Sequence, residues 1–276
     1  MGYMGKGETM ELKALMRTMF FSVETIERFL NRATAGQARA LAGLIEDEVE
    51  VRERRKRERL MRKAKFPQIK SFEGYDFSEV ALPEGYTVDA LKSLEFIDAA
   101  QDFVFHGQTG RGKTHLAIAI GIAAANRGRE VRFFTAAELV MALTKAHGDN
   151  SLDRFMKDIS KCELLIVDEL GYVPLAQAGA RLLFQVLSDC YESRSLLITT
   201  NIEFSKWGAV FGDDKMASAI IDRVMHHGRL VEFNGSSKRM EHALMLGKVS
   251  IWRKRRGWRL NAYSVEILMH FLSTGT

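Results

Sequence analysis

Positions 107–114 read Gly-Gln-Thr-Gly-Arg-Gly-Lys-Thr, one occurrence of the pattern G-x-x-x-x-G-K-[ST] in a chain of 276 residues. No other stretch constrains the fold so tightly. Glycines let a backbone curl until several amide N–H groups point at one anion. The helix that follows such a loop adds its positive dipole end at the same place. Here Phe103-Val104-Phe105 supplies the preceding strand, and Leu116, Ile118, Ala119, Ile120 and Ile122 announce the helix. Lys113 is then placed to neutralise phosphate oxygens, and the Thr114 hydroxyl to ligate Mg²⁺. Gly107, Gln108, Thr109, Gly110, Arg111, Gly112 and His115 complete the expected cradle for ATP. A glycine-rich turn with a chance Lys-Thr is the bland alternative, and the strand-loop-helix setting argues against it.

Short apolar runs alternate with helical stretches on either side of this loop. Strands are expected at Phe103-Val104-Phe105, Val131–Phe134, Leu164–Val167, Leu196–Thr200 and Leu230–Phe233. Helical patterns fill 114–126, 136–146, 175–192 and 215–227. The class is therefore α/β: a five-stranded parallel sheet between layers of helix.

The Leu164–Val167 run ends in Asp168-Glu169. A buried strand that terminates in two carboxylates is costly unless they serve something. At the carboxyl edge of a parallel sheet they face the phosphate loop. Asp168 is expected to hold Mg²⁺ and Glu169 to polarise an attacking water. The plain alternative is a solvated strand end. The next strand ends in Thr199-Thr200-Asn201, where Asn201 could hold the same water against the γ-phosphate.

In front of the α/β pattern the chain reads as helix. Leu12, Leu15, Met16, Met19, Phe20 and Val23 recur at helical spacing, and Leu41, Leu44, Ile45 and Val49 mark a second helix, with Gly36 between them. From Arg52 to Lys65 there are nine Lys/Arg against two Glu. Arg52, Arg55, Arg59 and Arg62 form one positive stripe, with Lys56 and Lys63 beside it. Most charge runs are solvated helix faces, but this excess suits a phosphate backbone, so these six residues are the candidate DNA contacts. Trp252, Arg253, Lys254, Arg255, Arg256, Trp258 and Arg259 make a second, basic-aromatic patch. The expected division is 1–66 helical, 67–249 ATPase, and 250–276 a basic tail.

Composition excludes other classes. Two cysteines and seven scattered histidines give neither a disulfide framework nor a zinc site. The first apolar stretch is short and interrupted by Arg17, so neither a secretory signal nor a membrane partner is expected, and the cytoplasm is the default.

Several blocks together resemble the IstB family of transposition helper ATPases, within the AAA+ superfamily. They are GQTGRGKTHLAIAI from Gly107, LLIVDELGYVPL from Leu164, ITTNIEFSKWGAVFGD from Ile198 and AIIDRVMHHGRLVEFNGSSKR from Ala219. The run ERRKRERLMRKAKFP from Glu53 is similar to the family's helical leader, and the likeness spans Gly36 to Lys248. The resemblance implies a AAA+ P-loop NTPase that binds ATP and Mg²⁺ and oligomerises on duplex DNA. It also implies stimulation of an IstA-type transposase. A helicase loader similar to DnaC or DnaI is the alternative. It implies further that Arg223 completes the site of a neighbouring subunit and that Arg239 acts as a sensor arginine.

Overall fold

The computed structural model describes residues 5–172 and 174–237. Three helices come first: α1 (Lys6–Thr18), α2 (Val23–Arg32) and α3 (Ala35–Ala64). Leu12 and Met16 of α1, Ile26 of α2, and Ala38 and Ile45 of α3 bury against one another. The expected single helix through Val23 is two helices. Phe20 takes a left-handed φ of 60°, and the Ser22 side chain accepts from the Thr25 amide at 3.2 Å to open α2. Gly36 is not the break before the next helix but lies inside it. Thr34 is the cap, exchanging hydrogen bonds with Gln37 in a capping box. A reciprocal cap outweighs the modest helix penalty of one glycine.

Helix α3 has 30 residues, a length of about 45 Å at the usual helical rise. Its start belongs to the N-terminal cluster, while Leu60 and Ala64 near its end are buried in the core beneath the sheet. Lys63 ties that end down. Its Nζ donates to Glu130 Oε1 at 2.5 Å and pairs with Asp158 Oδ1 at 3.3 Å. The bond to Glu130 is the chief reason the Lys63 pKa is raised. Burial alone would raise the Asp158 carboxyl, but Lys63 and Arg132 outweigh it and hold it below its ordinary value. Lys65 closes the helix with a left-handed φ of 59°, two residues before Pro67.

The lead-in forms β1 (Val80–Ala81), α4 (Val88–Ser93) and α5 (Glu95–Asp98). The α/β body follows as β2 (Asp102–His106), α6 (Lys113–Asn126), β3 (Val131–Thr135), α7 (Ala136–Gly148), α8 (Leu152–Ile159) and β4 (Leu164–Leu170). It continues with α9 (Gln177–Cys190), β5 (Ser195–Thr200), α10 (Trp207–Phe211), α11 (Asp214–His227) and β6 (Gly228–Phe233). The sheet order is β1-β6-β2-β5-β4-β3. All five expected strands are present and pair in parallel. The sheet has six strands rather than five, because β1 pairs antiparallel with β6 through Val80↔Phe233 and Ala81↔Glu232. A two-residue strand is too short for alternation to reveal it.

Alternate side chains feed two cores, as the pleat requires. Leu164 and Ile166 join Phe103, Phe105 and the apolar face of α6. Leu165 and Val167 join Val104, Leu183 and Trp207 on the opposite face. Cys162 and Cys190 are buried free thiols. Among the described residues no helix is long and apolar enough to cross a membrane. Strand β5 lies between β2 and β4, so the carboxyl ends of all three open on one edge.

At the opposite edge Asp102 is 5% exposed, and its Oδ1 accepts the Leu196 amide at 2.8 Å. Burial pushes its carboxyl up to about 7, against lowering by the Leu196 hydrogen bond and by His227. The folded chain therefore keeps a proton that an unfolded aspartate releases above about pH 4. Stability contributed here falls as pH rises from about 4 to 7. Asp102→Asn keeps the acceptor and removes the charge. Its stability relative to wild type, read from urea unfolding, is expected to rise between pH 5 and pH 8. A difference that does not change with pH would show that Asp102 titrates normally.

Candidate nucleotide-binding site

The loop between β2 and α6 is held by its own glycines. Gly107 has a φ of 149°, and a Cβ there would overlap the Phe233 carbonyl oxygen. Gly112 has a φ of 91° and is the N-cap of α6. Arg111 clasps the loop to the sheet: Nη1 donates to Phe233 O at 2.9 Å and Nη2 to Gln108 Oε1 at 2.9 Å. Lys113 is buried, with Nζ donating to Gly107 O at 2.6 Å and Gln108 O at 2.8 Å. The ammonium thus sits on the carbonyls of the curled loop that precedes α6.

Asp168 meets this loop from β4. It is 3% exposed, and its Oδ1 accepts two hydroxyls, Thr114 at 3.0 Å and Thr199 at 2.5 Å. Glu169 follows with a left-handed φ of 60°. That conformation costs a non-glycine residue about 1–3 kcal/mol and persists only where its surroundings over-determine it. It coincides with a register shift between Val167 and Leu170 against β5. Bulges of this kind re-aim a side chain. Glu169 thereby lines the same cavity as the phosphate loop.

That cavity has a volume of about 440 Å³ and is lined by Pro67, Gln68 and Lys70 of the lead-in, by residues 109–115, and by Glu169 and Tyr172. The volume is within the range of small-molecule sites. Pro67, Gln68, Lys70 and Tyr172 were not among the residues expected from the sequence. Pro67 reads there as a helix stop, and nothing local marks the lead-in as a cavity wall. The Tyr172 hydroxyl lies 3.2 Å from the Thr109 hydroxyl, bridging the β4 turn and the loop. His115 lines the cavity too, with Nε2 3.1 Å from Ser71 O and its ring 5.0 Å from that of Tyr75. Asn201 lines an adjoining cavity of about 290 Å³, together with Gly107, Gln108 and Arg111. Its Oδ1 is buried without a hydrogen-bond partner, an unspent acceptor beside the loop. Hydroxyl and carboxylate oxygens at Thr114 and Asp168 are hard donors that fit Mg²⁺.

A description of known chains, IstB-like ATP binding protein, matches residues 10–245. The chain belongs to this family. Relatives include the insertion sequence IS232 ATP-binding protein of Bacillus thuringiensis subsp. berliner, 38% identical over 73% of this chain and 80% of that one. Another is the insertion sequence IS21 ATP-binding protein of Pseudomonas aeruginosa, 32% identical over 84% and 88%. Among solved structures, AMPPCP-bound DnaA from Aquifex aeolicus aligns with a TM-score of 0.49 at 17% identity, covering 76% of this chain and 66% of that chain. The DnaC helicase loader aligns with a TM-score of 0.44 at 21% identity, covering 54% and 92%. IstB-like sequence thus starts well before Gly36, taking in most of α1 as well as α2. The mostly parallel sheet flanked by helices is the layered α/β class expected from the sequence.

The other expected site residues divide. Arg223 lies on α11 and lines neither cavity. Its Nη1 donates to Ser188 Oγ at 2.8 Å, and its guanidinium stacks 5.4 Å from the Phe184 ring. Arg239 and the Trp252–Arg259 patch lie outside the described residues. On α3, Arg55, Lys56, Arg59 and Arg62 are exposed, and Arg52 is exposed but bonded to Glu48 at 2.7 Å. Lys63 departs from the expected basic stripe, because Glu130 and Asp158 hold it against the core.

Charged hydrogen bonds to phosphate each contribute about 1.5–3 kcal/mol. Lys113→Ala is therefore expected to weaken ATP binding by about a hundredfold without unfolding the chain. Titration with a fluorescent ATP analogue checks this, and unchanged affinity would remove Lys113 from phosphate recognition.

Proposed function

We propose that this chain is a DNA-stimulated AAA+ ATPase. In this reading it oligomerises on duplex DNA, marks or remodels that DNA, and stimulates a partner transposase of the IstA type. The observation that carries hydrolysis is the buried Asp168, bonded to Thr114 of the loop helix, with Glu169 turned by a bulge into the same cavity. Lys113 binds β- and γ-phosphate oxygens, and the loop amides orient them. Thr114 and Asp168 would hold Mg²⁺, which supplies charge neutralisation on those oxygens. Glu169 takes the proton of the attacking water, and Asn201 aligns that water against the γ-phosphate.

Arg223 supports shared sites. It is half-buried and pre-set by Ser188 and Phe184, yet away from its own chain's cavities. A guanidinium fixed there serves the transition-state charge of a neighbour's nucleotide. Trans arginines of this kind contribute about a thousandfold or more. Arg223→Ala and Lys113→Ala are each expected to lose turnover by about that factor, and an equal mixture to regain part of it. Phosphate release in the mixture, measured with duplex DNA, checks this. No recovery, or full turnover by dilute monomers, would reject a shared site.

Arg55, Lys56, Arg59 and Arg62 form the exposed part of the α3 stripe. A cation placed on a DNA phosphate contributes about one unit to the salt dependence of affinity. Replacing Arg55 and Arg59 with Ala is expected to lower the slope of log affinity against log salt by about two. An unchanged slope would place the DNA on another face.

A further inference from the structure

We propose that Thr199 is a positioning residue for hydrolysis, its single hydroxyl setting both carboxylates at once. This rests on the reading of the site as an ATPase. Strands β4 and β5 pair regularly through Val167↔Ile198 and resume at Leu170↔Thr200. Asp168 and Glu169 therefore face one residue, Thr199, across the bulge. In an unbroken strand, successive side chains point to opposite faces. The bulge is what allows two adjacent acids to address one site.

Thr199 is the group that fills the gap left in the ladder. Its Oγ1 donates to Asp168 Oδ1 at 2.5 Å and accepts the Glu169 amide at 2.9 Å. The direction of each bond is fixed by chemistry. An amide can only donate, so the one hydroxyl proton goes to the carboxylate. Thr199 is 1% exposed, so water cannot readily replace its hydroxyl. The Glu169 amide is thus held at the residue whose φ is 60°. Movement of Thr199 would shift the metal-side carboxylate and the water-side carboxylate together.

Thr200 is the natural comparison. It is equally buried, and its hydroxyl also makes two-sided bonds, donating to Leu170 O at 2.8 Å and accepting the Ile202 amide at 3.2 Å. Those bonds join backbone groups and reach neither carboxylate.

The test measures DNA-stimulated phosphate release, ATP affinity and Mg²⁺ activation for wild type, Thr199→Val, Thr199→Ser and Thr200→Val. Thr199→Val keeps the shape and loses both hydrogen bonds. Its kcat is expected to fall by about tenfold to a hundredfold, the usual effect of misplacing a reacting group. Affinity for ATP without metal is expected to stay within about threefold, and half-activation to need more Mg²⁺. Thr199→Ser is expected to restore turnover, while Thr200→Val loses thermal stability with no selective loss in kcat. If Thr199→Val does not fold, Thr199→Ala is read in the same way. Wild-type turnover in Thr199→Val overturns the assignment, as does a loss in kcat matched by Thr200→Val or left unrescued by Thr199→Ser. A wild-type chain that binds ATP but releases no phosphate, with or without DNA, overturns the ATPase reading and this inference with it. An active wild type beside an active Thr199→Val overturns only the role of Thr199.

Discussion

Asp168 is a nearly fully buried carboxylate, and the arrangement of the site depends on how its charge is accommodated. Two hydroxyls contribute to this, Thr114 from the loop helix and Thr199 from the neighbouring strand. A charge in such surroundings is strongly unfavourable without hydrogen bonds of this kind. Three separate segments are therefore locked to one oxygen atom. The phosphate loop cannot move far from β4, and β4 cannot slide against β5. The price is local backbone strain at Glu169, which the bulge places at the cavity edge.

A second link joins the two cores. Helix α3 runs from the N-terminal cluster to the underside of the sheet, with Ala38 and Ile45 in the first core and Leu60 and Ala64 in the second. Lys63, Glu130, Asp158 and Arg132 form the clamp at that junction. The clamp sits beside β3, the edge strand next to β4. The Glu130 carbonyl also accepts the Glu163 and Leu164 amides, which joins the clamp to the start of β4.

Legibility followed the range of the contacts. The strands β2 to β6 were readable because parallel buried strands are continuous apolar runs. Lys113, Thr114 and the acidic pair were readable because their chemistry is unusual in a core. Thr199 reads in the sequence as one polar residue at a strand end, since nothing in Thr199-Thr200-Asn201 says which hydroxyl turns toward β4. The break at Phe20 is hidden in the sequence because Phe20 continues an apolar period and only the Ser22 cap contradicts it. Pro67, Gln68 and Lys70 became a cavity wall only when α3 packed beneath the sheet and delivered them to the loop.

The sequence by itself determined the curled, glycine-bearing loop from Gly107 to Thr114. That loop is a local backbone shape, written by glycine spacing and the helix that follows. It determined the layered α/β class as well, through the alternation of short and long apolar periods. Tertiary structure alone decided that β5 inserts between the loop strand and the acid strand, placing Asn201 and Thr199 beside both. It alone decided that Lys63 leaves the basic stripe and that Arg223 is held by Ser188 rather than lining either cavity beside the loop. Each of these depends on partners 30 or more residues away, as with Thr199 and Asp168 at a separation of 31. No local periodicity encodes such a pairing.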